Sequence, residues 1–460
     1  MGDNYAMARE IARGAAELGG RAYYVGGMVR DRLLGKEALD IDIEIHGIAG
    51  QDLDAYLARL GEPSGIGLAF GIRGLKGYEI DIALPRREKA VGPGHKDFET
   101  VFDPRMGTKE AASRRDFTIN AMMEDVLTGE IVDHFGGQKD LKEKILRHVN
   151  DRQFAEDPLR VLRGAGFAAR FDLLAAPETA GLMENMNLTV LPRERVLEEL
   201  LKAFSKAERP SVFFETLKGV RQMRDWFPEV LALSGMPQDP GHHPEGDVWN
   251  HTMLTLDGAA SLKDQAARPE AFMFAALVHD FGKALVTAEH GGRIHAYGHE
   301  EAGTAPAERL LTRLGAGRKV TEYVTDMVRR HMAPGMYVQT GSRAKAYMKL
   351  FDASVCPEDL LLLSKADRMA GRGNEQEPET AAESDADRIL LEMLALYRER
   401  TSLPGITGAD LAAMGFRPGP EFREALVYAR KLQLAGISRE ESLRQVEGHM
   451  RNLTGNGRDA

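Results

Sequence analysis

The chain has 460 residues, 43% of them apolar, 28% charged and 7% aromatic, enough for about three domains at roughly 150 residues each. The 60 Lys and Arg against 70 Asp and Glu give a formal charge of −10, which excludes a uniformly basic nucleic-acid coat but not a local phosphate-binding groove. A single cysteine, Cys356, excludes an intrachain disulfide and suits a reducing cytoplasm.

No run approaches the roughly 20 apolar residues of a membrane span, and Phe272–Val278 reads as a core-helix segment. The opening Met-Gly-Asp-Asn-Tyr-Ala carries neither the apolar core of a secretory signal nor the Ser or Thr of a myristoylation site. A soluble, cytoplasmic protein without membrane contact is expected, and its oligomeric state is not readable.

In chain order, Arg21–Val25, Ile41–Ile45 and Glu79–Leu84 read as strands among glycines, the latter two alternating carboxylate and aliphatic. Period two puts Asp40, Asp42 and Glu44 on one face and Ile41, Ile43 and Ile45 on the other. From about Leu141 the periodicity turns helical and stays so nearly to the end. Pro, Gly and His cluster near Gly235–Pro244, and eight of the 13 histidines fall between His242 and His331. Gly371–Asp387, rich in Gly, Glu, Pro, Ser and Ala, reads as an acidic linker or loop ahead of a helical tail.

Val25-Gly26-Gly27-Met28-Val29-Arg30 reads as strand, glycine turn and helix start, where bare backbone and unpaired N–H groups suit a phosphate and Arg30 could reach the same anion. Asp40-Ile41-Asp42 sets two carboxylates side by side, a pattern that suits Mg²⁺, and Asp81 could supply a third from an adjacent strand. Arg114-Arg115-Asp116-Phe117-Thr118-Ile119-Asn120 packs cations for phosphate beside an acceptor for a ribose hydroxyl. Asp133-His134-Phe135-Gly136-Gly137 and Glu156-Asp157-Pro158-Leu159-Arg160-Val161-Leu162-Arg163 follow.

In this order and spacing the motifs resemble the bacterial class of tRNA nucleotidyltransferases, the CCA-adding enzymes, and the related poly(A) polymerases. The match runs from about residue 20 to 200, and Pro192-Arg193-Glu194-Arg195-Val196 resembles the family's last head motif. The resemblance implies Asp40, Asp42 and Asp81 as catalytic carboxylates, with Asp40 and Asp42 holding Mg²⁺ for two-metal nucleotidyl transfer. It implies Gly27, Arg30 and Arg115 at the triphosphate, Asp116 at the ribose, and Gly26, Arg114, Asn120 and Arg163 in the same nucleotide site. Asp157 and Arg160, at i and i+3 of one helix face, offer an acceptor and a donor that fit the Watson–Crick edges of both adenine and cytosine. One departure is visible: Gly166 stands where the family usually has Arg.

A second constellation comprises Trp249-Asn250-His251, Val278-His279-Asp280-Phe281-Gly282-Lys283, Gly298-His299, His331 and Ala366-Asp367-Arg368. It resembles the HD phosphohydrolase domain. The resemblance implies His251, His279, Asp280 and Asp367 as ligands of a divalent transition metal such as Ni, Mn or Co, with Lys283 beside them, and 2′,3′-cyclic phosphates or phosphomonoesters as substrates. Ile406-Thr407-Gly408-Ala409-Asp410-Leu411 and Gly415–Pro420, with Gln433 and Leu434, resemble a helix-turn-helix element of the same family, read equally as a tRNA contact or a helical cap.

The expected fold is α+β: a nucleotidyltransferase head with a small mixed sheet (1–145), a helical neck and RNA-binding body (146–235), a helical HD domain (236–370), the linker (371–387) and a helical tail (388–460). The expected function is template-independent addition of C, C and A to tRNA from CTP and ATP. A-only addition and poly(A) synthesis remain open. A CC-only enzyme is disfavoured by the segment from Glu88 to Ala112 with its Gly92-Pro93-Gly94. An HD phosphohydrolase with a non-catalytic RNA-binding head is the alternative of another class. Arg193, Arg195, Lys202, Lys206 and Arg209 interleave with Glu194, Glu198, Glu199 and Glu208 and read mainly as a solvated mixed-charge helix.

Overall fold

The computed structural model describes residues 3–36, 40–64, 71–90, 98–371 and 384–455. Gly92-Pro93-Gly94 and most of the acidic linker lie outside them. The chain packs as two compact units, 1–226 and 227–460, so the compositional shift near Gly235 falls inside the second unit.

Among the described residues, the N-terminal part of the first unit is built on nine strands: β1 (Arg21–Val25), β2 (Ile41–His46), β3 (Pro63–Ser64), β4 (Ile72–Leu75), β5 (Ile80–Ala83), β6 (Arg86–Ala90), β7 (Phe98–Phe102), β8 (Met123–Asp125) and β9 (Ile131–Val132). Seven form one sheet in the order β3-β4-β5-β2-β1-β8-β9, and β6 pairs β7 separately. Only β2 and β5 run parallel; the other pairs of this sheet are antiparallel, which makes it mixed as expected. Ala22, Tyr24, Ile41, Ile43 and Ile45 are buried on one face, the side that meets the helix Asn4–Glu17 through its own buried Ala8, Ile11, Ala12 and Ala15. Each such aliphatic side chain removed from water contributes roughly 1.5–3 kcal/mol, which pins the register and sends Asp42 and Glu44 to the opposite face.

Beyond these strands the unit is mainly helical, as the periodicity predicts, apart from the short parallel pair β10 (Ile145–Leu146) and β11 (Leu174–Ala175). The helix Leu159–Phe171 buries Leu159, Leu162, Ala165, Ala168 and Ala169 against the helices Arg193–Lys206 and Ser211–Gly219. On Arg193–Lys206 the mixed-charge reading holds: Lys202 pairs with Glu198 at 2.7 Å and Glu199 at 3.0 Å, and Arg193 with Glu194 at 3.0 Å.

The second unit is a helical assembly around Val248–Leu262, Pro269–Val278, Arg318–Arg330 and Pro357–Ala370. Every residue from Ala271 to Val278 is buried, so the apolar run is the core helix it reads as. One departure from all-helical structure is the hairpin Ala288–His290/Arg293–His295. Gly291 and Gly292, both at positive φ, make its two-residue turn, a hairpin signal legible in the sequence. The tail folds as Gly408–Ala413, Pro420–Leu434 and Arg439–Gly455 around Leu411, Ala425, Ala429, Val446 and Met450. The Gln433 amide donates to the carbonyls of Arg400 and Leu403, so that residue fastens the tail. Among the described residues no helix is long and apolar enough to cross a membrane.

Candidate active sites

The first site grows from the turn after β1. Gly26 has φ +69°, the left-handed region that glycine enters without a Cβ clash, and the helix Gly27–Leu33 follows. A Cβ at Gly26 would stand 3.0 Å from Arg115 Nη1 and 3.9 Å from Asp42 Oδ2, so bare backbone separates a guanidinium from a carboxylate.

In the parallel pair β2–β5, Asp42 lies opposite Asp81. Asp42 is half-buried, while Asp40 and Asp81 are exposed. Burial raises the Asp42 carboxyl above its ordinary range, with Asp81 and Asp40 adding to the rise and Arg115 opposing it. Carboxylates that destabilise one another's charge are a donor set suited to a divalent cation. Among the described residues, the groups of three or more ligand atoms lying within 4.8 Å of one another are all in the second unit. Asp40, Asp42 and Asp81 do not form such a group.

Glu44 was not among the expected site residues, although its place in the alternation marks the same face. Its side chain is buried and accepts from Arg114 at 3.1 Å, with Arg115 at 3.9 Å and His46 Nε2 at 2.9 Å. It anchors the two cations beside the glycine turn.

Arg30 is more enclosed than a free phosphate ligand would be. It is 3% exposed, donates to Asn120 Oδ1 and Asp31 Oδ1, and stacks 4.3 Å above the Phe171 ring. Asn120 Nδ2 donates to Asp116 Oδ1 at 3.0 Å, and Arg163 donates twice to Asp116 Oδ2, at 2.6 and 2.9 Å. Arg30, Asn120, Asp116 and Arg163 thus form one chain of hydrogen bonds. Burial raises the Asp116 carboxyl, but Arg163 and the Asn120 hydrogen bond hold it below the ordinary carboxylate range.

Asp157 departs from its expected place. The helix starts at Leu159, so Asp157 sits on the turn before it and its Oδ1 accepts from the Leu159 N–H at 3.0 Å. Pro158 explains this, since a residue before proline is pushed out of the helical region. Arg160 is on the helix and donates to the carbonyls of Gln153 and Arg114. A Cβ at Gly166 would meet nothing within 4 Å, so the missing Arg leaves open space rather than a repacked core. Asp133 caps the helix Gly137–Lys142, accepting from Gly137 and Gln138 N–H groups at 2.9 Å each.

The second site is deeply buried. His251 comes from the helix Val248–Leu262, His279 and Asp280 from the turn after Pro269–Val278, and Asp367 from Pro357–Ala370. His251 Nε2 lies 2.9 Å from Asp367 Oδ1 and 3.4 Å from His279 Nε2, and His279 Nε2 lies 3.2 Å from Asp280 Oδ2. The four expected ligands therefore converge. His299 and His331 were noticed in the sequence but not expected as ligands; their Nε2 atoms lie 3.3 and 3.6 Å from Asp280 Oδ1 and 3.2 Å from each other. Lys283 Nζ stands 2.7 Å from Asp280 Oδ2 and donates to Gln238.

Neither oxygen of Asp280 accepts a well-formed hydrogen bond. Imidazole nitrogens and carboxylates outnumber the single ammonium, so the cluster favours positive charge. Burial lowers His251, but Asp367 and Glu245 more than compensate and push it up to about 9. Gly282 makes the packing possible: a Cβ there would come within 1.9 Å of the His299 carbonyl oxygen.

Residues 22–147 match the family model of the poly A polymerase head domain, and 248–372 match that of the HD domain. A multifunctional CCA protein of Xanthomonas campestris pv. campestris is 37% identical over 438 residues, covering 92% of this chain and 100% of that protein. The chain belongs to the multifunctional CCA protein family. A second member, from Halorhodospira halophila, is 36% identical over 91% of this chain and 98% of its own length. The fold is also that of a Thermotoga maritima CCA-adding enzyme complexed with tRNA, with a TM-score of 0.64 at 22% identity over 96% of this chain and 94% of that one. Within this family frame, Gly26, Asp42, Asp81 and Arg115 lie inside the head match, and His251, His279, Asp280 and Asp367 inside the HD match.

Proposed function

We propose that the chain adds C, C and A to tRNA 3′ ends from CTP and ATP, and that its HD centre hydrolyses 2′,3′-cyclic phosphates and phosphomonoesters. The observation that carries the first part is the Asp42–Asp81 pair facing Arg115 across the bare backbone of Gly26.

In the head, the Gly26–Gly27 backbone and Arg115 receive the triphosphate, with Glu44 holding Arg115 and Arg114 in place. Asp116 faces the ribose from a hydrogen-bonded frame in which Arg30, Asn120 and Arg163 are positioning residues. Asp157 and Arg160 select the base. Asp40 and Asp42, with Asp81 opposite, would hold Mg²⁺, which when bound neutralises phosphate charge and makes the RNA 3′-hydroxyl a better nucleophile.

In the HD centre, His251, His279, Asp280 and Asp367 would hold Ni, Mn or Co, with His299 and His331 on the far side of Asp280; the bound ion supplies Lewis acidity toward water and phosphate. Lys283 keeps Asp280 ionised. Burial pushes the Cys356 thiol up to about 11, which leaves it unreactive and fits a cytoplasmic enzyme.

The test is incorporation into tRNA ending at the discriminator base, read at single-nucleotide resolution with CTP, ATP or both. Ordered C, C, A addition is expected. A alone on tRNA already ending in CC would make this an A-adding enzyme, long A tails a poly(A) polymerase, and no incorporation on any acceptor would overturn the assignment of the head.

A further inference from the structure

Four imidazoles face the HD centre through Nε2, and each is fastened through Nδ1. In three the fastening is a carbonyl one turn back: Ala276 for His279 at 2.9 Å, Ala296 for His299 at 2.8 Å and Val328 for His331 at 2.6 Å. His251 differs. Its Nδ1 lies 2.7 Å from Oε1 of Glu245, a carboxylate in the loop ahead of its helix.

Glu245 is built into place. Its side chain is 2% exposed, and the Asn250 amide donates to its carbonyl. The loop then enters the helix through Asp247, which caps the Asn250 N–H at 2.9 Å and accepts from Gly235 N–H at 2.6 Å. The same Oε1 meets His243 Nδ1 at 2.8 Å, the two imidazole rings standing edge-on 4.9 Å apart, while Oε2 is buried without a hydrogen-bond partner. A buried carboxylate with an unmatched oxygen is costly, and a loop could avoid it by turning the side chain outward.

We propose that Glu245 is a positioning residue of the HD centre: it holds the His251 proton on Nδ1, so that the Nε2 lone pair is presented to the cation between Asp367 and Asp280. The proposal rests on reading that centre as a metal site. A carboxylate does what the three backbone carbonyls do and adds negative charge, which raises the basicity of the imidazole it holds. His251 is the ligand that relies on this, because its Nδ1 meets the Glu245 carboxylate where the other three meet a backbone carbonyl. His243 shares the oxygen but has no atom in the centre, so it is the control.

The experiment measures Ni²⁺ affinity of the full-length chain by equilibrium dialysis, the difference from His279→Ala defining the HD site. Glu245→Gln is expected to weaken binding 10–100-fold. His243→Gln is expected to change it less than about twofold, and both to incorporate nucleotides at the wild-type rate, with a far-UV circular dichroism spectrum matching wild type reporting the fold. Excess Ni²⁺ should restore phosphatase turnover in Glu245→Gln but not in His279→Ala.

Equal affinity in Glu245→Gln and wild type overturns the proposal, as does an equal loss in His243→Gln, which would mark collapse of the loop. If Glu245→Gln fails to fold, Glu245→Asp decides. Its carboxylate is one methylene too short to reach Nδ1, so a tenfold loss upholds the proposal and unchanged affinity overturns it. Wild type and His279→Ala binding Ni²⁺ alike would instead overturn the metal reading itself, and this proposal with it.

Discussion

Replacing Glu44 by Gln tests the electrostatic frame of the head. Glu44 is 1% exposed, with His46 at 2.9 Å, Arg114 at 3.1 Å and Arg115 at 3.9 Å. Burial would raise its carboxyl, but the His46 hydrogen bond and the two arginines hold it at about 2 against an ordinary 4.5. That depression is worth roughly 3 kcal/mol, within the 3–5 kcal/mol typical of removing one partner of a buried ion pair. The folded-state value lies below the unfolded one. The contribution is therefore complete above about pH 5 and is lost as the pH falls toward 2, with roughly 1.4 kcal/mol left at pH 3. Two packed units need not unfold together, so a local probe is required. Trp226 and Trp249 are the only tryptophans, and Trp226 is buried in the first unit. In a Trp249→Phe background, urea unfolding followed by Trp226 fluorescence should show Glu44→Gln less stable by about 3 kcal/mol at pH 7, with the gap narrowing as pH falls. A gap under about 1 kcal/mol at pH 7, or one that stays flat to pH 3, refutes the reasoning.

Gly26→Ala must place a side chain at φ +69° and 3.0 Å from Arg115; a fall of about tenfold in kcat/KM for the nucleoside triphosphate is expected, roughly 1.4 kcal/mol, and an unchanged value would remove the glycine turn from the triphosphate site. Asp42→Asn should cut incorporation by about a thousandfold, roughly 4 kcal/mol of transition-state stabilisation, while leaving tRNA binding in a gel-shift assay near wild type. His279→Ala combined with Asp280→Ala should abolish cyclic phosphodiesterase activity and spare nucleotide addition; losing both activities, or neither, counts against two independent sites. Despite the net charge of −10, the logarithm of tRNA affinity should fall linearly with the logarithm of salt concentration, and a flat dependence would argue against phosphate contacts.

Much of this was legible because the signals are local. Alternation in β2 fixed which acids share a face, the apolar run Phe272–Val278 marked the core helix, and the His279-Asp280 pair announced the HD centre. What was not legible depends on pairing between distant segments. Asp81 was expected as a third carboxylate from an adjacent strand, but its place directly opposite Asp42 is a register between β2 and β5 that neither strand alone dictates. His299 joins Asp280 where Gly282 lets its turn approach backbone to backbone, and His331 arrives from the end of the distant helix Arg318–Arg330. Asp157 is different. The Asp-Pro dipeptide marks a helix boundary, and that local restriction outranks the i, i+3 spacing.

The side chains expected around the nucleotide turn out to be bonded to one another as much as they are available to a ligand. Arg30, Asn120, Asp116 and Arg163 form a continuous chain, and Arg160 is held from behind by the carbonyls of Gln153 and Arg114. Such a frame is what the proposed choice of a base without a nucleic-acid template would require. A freely rotating arginine could shift to satisfy uracil or guanine, and discrimination would be lost. Fixed donors cannot follow the wrong base, so a mismatch leaves buried polar groups unpaired. Arginine suits such a frame because its five donors let some be spent on holding the side chain while others face the ligand. The HD centre solves the opposite problem. There the acceptors are crowded and the lone ammonium is Lys283, a balance of charge that would favour a bound cation.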